Sequence, residues 1–255
     1  MLSASLIVLV GAFAGGLVSG LTGFGTGITA LPIWLIGLTP ALASPLVVVC
    51  SLIGQAQTLP TIWHAIDFRR CLPFIAGGLV GVPFGAYLLP FVSIQLFRLL
   101  VGVLLVIYCG FTLGGKFTFR VHGGGRAADA MIGLGGGVLG GLAGVSGPLT
   151  TIWAGLRGWG KDERRAVFQA FNTSVLAFAL VAQTVAGLMT MELGELVLIA
   201  LPGTIIGSFI GRRAYGKLDT AKFEKVVLVV LLISGLMMIA GGLAPWVVRA
   251  IQSAQ

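Results

Sequence analysis

Residues Gly20–Gly27 (GLTGFGTG) place four glycines within eight positions in the middle of an apolar run, and Gly140–Pro148 (GGLAGVSGP) does much the same 121 residues later. Glycine weakens a helix interior by about 1 kcal/mol per residue, and proline is best tolerated in a first helical turn. Both stretches therefore predict a helix that stops and restarts. In hydrocarbon, the freed N–H groups must be paired or must line a polar cavity. A helix start also offers a partial positive charge to an anion. Thr22, Gly23, Phe24, Gly25, Thr26 and Gly27 in the first break, with Gly144, Val145, Ser146 and Gly147 in the second, form a candidate substrate site. Its donors are backbone N–H groups and the hydroxyls of Thr22, Thr26 and Ser146. The competing reading is that the glycines only let helices touch; paired breaks in a duplicated chain weigh towards a ligand.

Other polar residues sit inside apolar runs. Gln57 and Gln183, followed by Thr58 and Thr184, could donate two symmetric amides to one central ligand, and Asn172 adds a polar group from the second half. Interhelical hydrogen bonding is the alternative role for all three. Arg98 opens an apolar run on a side otherwise poor in cations, where it could attract an anion or reach for the interface. Cys50, Cys71 and Cys109 lack metal-ligand spacing, and His64 and His122, at a span end and in the linker, belong to no His/Cys/carboxylate cluster that would suit a metal or a proton relay. No metal, cofactor or catalytic residue is expected, and no nucleophile–base pair suggests an enzyme.

These residues need long apolar elements to hold them. The 255 residues are 57% hydrophobic and 9% charged, against about 25% charged in an ordinary soluble domain. A water-soluble globule is excluded. Apolar runs fall at 3–38, 42–63, 71–91, 96–114, 129–156, 166–190, 194–211 and 226–248, so the expected fold is all-α and polytopic. The first run has no basic segment ahead of it, and no cleaved signal peptide is expected. Residues 1–114 and 129–255 read as two transmembrane repeats joined by a polar linker at 115–128.

The repeat is visible in the residues. Ala56-Gln57-Thr58 recurs 126 positions on as Ala182-Gln183-Thr184, and Gly77/Gly81/Gly85 recurs at the same offset as Gly203/Gly207/Gly211. Positive charge then orients the copies. If all eight runs crossed once, the Lys and Arg residues would split almost evenly between the two sides. If the first run of each copy is a re-entrant or hairpin segment that returns to its own side, fourteen of the sixteen lie together and only Arg98 and Arg249 lie opposite. That arrangement makes the repeats inverted, with the linker cytoplasmic and both termini outside. The basic residues thus read as topology signals, and no nucleic-acid partner is expected.

The paired breaks, the cluster Lys161–Arg165 (KDERR) and the lack of any soluble domain resemble the sulfite exporter TauE/SafE family of membrane transporters. Gly20–Pro32 with Pro45, and Gly136–Pro148 leading to Arg165 and Asn172, carry the resemblance. Thr26 and Ser146 depart from the family's glycine-richer breaks. The resemblance implies ion-gradient-driven transport of a small sulfur-containing anion, sulfite or an organosulfonate such as sulfoacetate, across a bacterial inner membrane. The breaks suit alternating access between two repeats. An anion channel and a non-transporting scaffold are the alternatives, and a homodimer is left open.

Overall fold

A computed structural model describes residues 2–62, 64, 66–88, 93, 95–96, 99, 102–103, 106–107, 109–110, 121, 123–185, 187–215 and 220–253. Among them the chain is helical, with elements α1 (Leu2–Thr22), α2 (Thr26–Trp34), α3 (Pro40–Ile62), α4 (Phe68–Leu88), α5 (Gly125–Ala143), α6 (Gly147–Leu156), α7 (Lys161–Val185), α8 (Met191–Tyr215) and α9 (Thr220–Ser253). The described residues between 95 and 110 are also mostly helical and lie against α9, where the Cys109 thiol donates to the Leu228 carbonyl at 3.3 Å. Arg98 and most of the linker, including Lys116, Arg120 and His122, lie outside the described residues.

Several elements begin earlier than hydrophobicity alone indicates. The helix α7 starts at Lys161, five residues before the apolar run, because Asp162 and Glu163 in its first turn complement the positive end of the helix dipole. Likewise α5 starts at Gly125, so the last residues assigned to the linker form its first turn. Arg212 and Arg213 close α8, where cations suit the negative end. Stretches within α1, α3, α7 and α8 are long and apolar enough to cross a membrane. Their outer faces carry exposed Leu198, Ile206 and Phe209 on α8 and Val181 and Val185 on α7, side chains suited to lipid.

Glycine ridges set the packing. The most extensive helix pairs are α1 with α8 and α4 with α5, so each pair joins one half of the chain to the other. A Cβ on Gly77, Gly81 or Gly85 would run into the carbonyl oxygens of Ala130, Leu134 and Val138 respectively. On α8, a Cβ on Gly203, Gly207 or Gly211 would meet those of Leu9, Phe13 and Leu17. The two sets of partners are 121 residues apart, the offset that relates the glycine breaks. The same crossing is therefore built twice, backbone against backbone, as small-residue faces permit.

The segment α1–α2 folds back on itself, since the Trp34 indole donates to the Val8 carbonyl at 3.0 Å. So does α5–α6, where the Trp153 indole donates to Asp129 Oδ1 at 2.7 Å and Arg157 lies 3.9 Å from the same carboxylate.

Candidate functional site

The helix α1 ends at Thr22 and α2 begins at Thr26, with Gly23 and Gly25 at φ +84° and +103° between them. In the second half α5 ends at Ala143, Gly144 adopts φ +67°, and α6 begins at Gly147 with Pro148 in its first turn. Side-chain-bearing residues are strained at such angles, which is why glycine occupies these positions. At nine and ten residues, α2 and α6 reach about half-way across a hydrocarbon layer of ~30 Å.

The two breaks touch. A Cβ on Gly27 would lie 3.0 Å from the Gly144 carbonyl oxygen, and one on Gly147 would lie 2.8 Å from the Phe24 ring. Between them is a small cavity, lined by Phe24, Gly25, Thr26 and Gly27 from one break and by Gly144, Val145, Ser146 and Gly147 from the other. Asn172 completes its wall from α7, together with Ser19, Ile28, Ser51, Gln55 and Leu176. First-turn N–H groups have no acceptor within their own helix; in α2 the first such bond comes only with Thr29 donating to the Gly25 carbonyl at 3.0 Å. The hydroxyls of Ser19 and Thr26 are buried there without a partner. Ser146 donates to Asn172 Oδ1 at 2.8 Å, which fixes the carboxamide against the second break.

Other expected site residues are placed elsewhere. The Thr22 hydroxyl is used within the break, 2.9 Å from the Val18 carbonyl and 2.7 Å from that of Phe24, and Gly23 does not line the cavity. Gln57 and Gln183 do not line the cavity. One reason is helical rotation: at 3.6 residues per turn, Gln57 points about 200° away from Gln55. Instead, the Gln57 carbonyl accepts from Arg212 at 2.9 Å. Gln183 follows Asn172 by eleven residues on α7, about 16 Å further along the axis.

The residues that replace them form two polar stripes with one spacing: Ser51, Gln55 and Thr58 on α3, and Arg165, Gln169 and Asn172 on α7. Positions i, i+4 and i+7 share a helix face, and that periodicity was a sequence signal for both stripes. Gln55 Nε2 donates to the Gly23 carbonyl at 3.0 Å, while its Oε1 accepts from Gln169 Nε2 at 2.9 Å. Gln169 Nε2 also approaches the Thr58 hydroxyl. Arg165 is fully buried. Its guanidinium donates to the Leu21 carbonyl at 2.7 Å, the Gly20 carbonyl at 2.6 Å and Gln169 Oε1 at 3.2 Å, and it lies 3.7 Å over the Tyr215 ring. The exposed carbonyls at the end of α1 are thereby satisfied by side chains rather than by water.

The two glutamines on α3 should therefore differ in effect. Gln55→Leu strands the Gly23 carbonyl and one Gln169 contact and is expected to cost about 2 kcal/mol, whereas Gln57→Leu should stay within about 0.5 kcal/mol. Thermal unfolding of the two detergent-solubilised variants checks this, and equal midpoints would contradict the buried network.

Helices of membrane-crossing length, apolar outer faces and a cavity between half-length helices make this an integral, polytopic helical membrane protein. The model of the sulfite exporter TauE/SafE family matches residues 7–238. The chain belongs to that family, whose members are membrane transporters of sulfur-containing anions rather than enzymes. No curated protein and no solved structure matches it. Among the described residues, no group of three or more His, Cys, Asp or Glu side chains could hold a metal ion.

Proposed function

We propose that this protein is a secondary transporter for sulfite or an organosulfonate such as sulfoacetate, bound between the starts of α2 and α6 and exported under an ion gradient. One observation carries the reading: two glycine breaks from opposite halves of the chain line a single cavity, with the first residues of α2 and α6 in its wall. Sulfonate and sulfite oxygens accept hydrogen bonds in several directions, which suits a ring of N–H and hydroxyl donors. Asn172 and the hydroxyls of Ser19, Thr26 and Ser146 supply the side-chain contacts.

The same geometry supports reading the halves as inverted repeats that work by alternating access. The base of the first hairpin, at Val8 and Trp34, clusters with Leu193 near the start of α8. The base of the second, at Asp129 and Arg157, shares an end of the molecule with Trp159, Arg70 and Glu163; Arg70 pairs with Glu163 at 3.0 Å, and Tyr215 at the end of α8 bonds Asp162. Opposite ends of α8 thus mark the two bases, which supports hairpins entering from opposite faces. The end that gathers Arg70, Arg157 and Arg212 is the cytoplasmic one by its positive charge, which leaves both termini outside a bacterial inner membrane. Rocking one repeat against the other would open the cavity to each side in turn.

Flux of labelled sulfite and sulfoacetate into proteoliposomes, with and without an imposed proton gradient, tests the proposal. Saturable uptake with exchange is expected of a carrier. Non-saturating flux would favour a channel, and no flux from folded, inserted protein would sink the sulfur-anion assignment.

A further inference from the structure

Each break sets the C-terminal end of one helix beside the N-terminal start of the next. The partial charges at these ends are about −0.5 and +0.5, so they offset one another within each break. The breaks supply directional donors but little net charge. A full unit of charge stands directly behind the first of them: the Arg165 side chain packs against Gly23, whose Cβ would lie 3.1 Å from Arg165 Cγ. Its guanidinium bonds Gly20 and Leu21, immediately beyond the cavity-lining Ser19.

Little compensates that charge. From α1, Arg165 meets carbonyls; from α7, the Gln169 carboxamide; from α8, the face of Tyr215. No carboxylate among the described residues lies within ion-pair distance of it. Asp162, one turn earlier on α7, is exposed and accepts from the Tyr215 hydroxyl. The equivalent position in the first half, 126 residues earlier, is Thr39, so the charge belongs to one copy only.

Resting on the anion-site reading above, we propose that Arg165 is a tethered counter-cation that makes the substrate a monoanion: bisulfite or a simple alkanesulfonate in preference to dianionic sulfite or sulfoacetate. A site of net charge near +1 becomes neutral when a single negative charge enters. The neutral complex is the one that passes through a low-dielectric layer at least cost, whereas a dianion leaves an unpaired charge. Arg165 acts as a positioning residue, capping α1 so that its negative end does not face the anion.

The test compares substrates of different charge in proteoliposomes. For the wild type, methanesulfonate should inhibit sulfite flux better than sulfoacetate or sulfate, because the second charge of a dianion is left uncompensated in a low-dielectric site. As pH rises through the second ionisation of sulfite, the KM in total sulfite should climb while the KM in bisulfite stays constant. Arg165→Gln, which keeps hydrogen-bond donors but not charge, should raise the methanesulfonate KM about tenfold, the effect of one charge at roughly 10 Å with an effective permittivity of about 20, and should weaken dianion inhibition further still, because the lost cation attracted both of their charges; Arg165→Lys should retain the wild-type values. Equal inhibition by mono- and dianions of the wild type overturns the inference and leaves the transporter reading standing. A folded Arg165→Gln protein that keeps the wild-type KM values for mono- and dianions assigns Arg165 a capping role alone, and overturns it too. Should that variant fail to fold, the wild-type pH profile still decides. Absence of any sulfite or sulfonate flux in the wild type removes the anion site itself.

Discussion

Gly81→Ala and Gly207→Ala should each destabilise the protein by about 3 kcal/mol or more, reversing the usual sign of the substitution. In an ordinary exposed helix, glycine to alanine adds up to about 1 kcal/mol of stability. Here the new methyl on Gly81 collides with the Leu134 carbonyl oxygen and that on Gly207 with the Phe13 carbonyl oxygen. Neither obstacle is a flexible side chain that can turn aside. Overpacking a core costs about 1–3 kcal/mol even where side chains can adjust; two backbones must separate here, and the whole crossing loosens. Gly194→Ala is the control, because its Cβ meets nothing within 4 Å. Thermal unfolding in detergent should show the first two well below the wild type and the control at or slightly above it. A Gly81→Ala protein melting with the wild type would contradict the close approach of α4 and α5.

Asn172→Asp should all but abolish anion transport while leaving the fold intact. The two side chains have nearly the same size, and the new carboxylate can still accept from the Ser146 hydroxyl, now 2.8 Å from Asn172 Oδ1. The change places a negative charge in the wall of the cavity. A like charge about 4 Å from a bound anion costs about 4 kcal/mol at an effective permittivity of about 20, which corresponds to roughly a thousandfold in KM. Asn172→Ala removes one contact and should cost about tenfold. Sulfite uptake measured alongside the melting temperature separates repulsion from misfolding. An aspartate variant with wild-type KM would mean that the anion does not enter this cavity.

The glycine breaks show how far residue types alone carry the argument. Four glycines within Gly20–Gly27, and proline at Pro148, disfavour a continuous helix whatever surrounds them, because the preference is local. Apolar composition required a bilayer for a similar reason: transfer from water depends on how much apolar surface there is. The 121- and 126-residue offsets were also legible, since duplication leaves identical residues at fixed distances.

What lines the cavity was a different kind of question. Gln57 looked suitable because it recurs as Gln183, yet repetition records descent from a duplicated unit, and the polar stripes break that symmetry. Gln55 and Arg165 do not recur in the other half: the positions 126 residues away are Val181 and Thr39. Arg165 read as one more topology-setting cation, because all four of its neighbours in KDERR are charged. Charge density along a chain does not reveal which member turns inward.

Sequence by itself determined the solvent, the helical elements, the two breaks and the recurrence of residues at fixed offsets, since each depends on local preference, composition or identity along the chain. Tertiary structure alone decided that the breaks meet in one cavity, that Gln55 faces it while Gln57 does not, and that Arg165 is buried behind it. Those outcomes depend on the rotation and crossing of whole helices, which backbone contacts at glycines far apart in the chain set together.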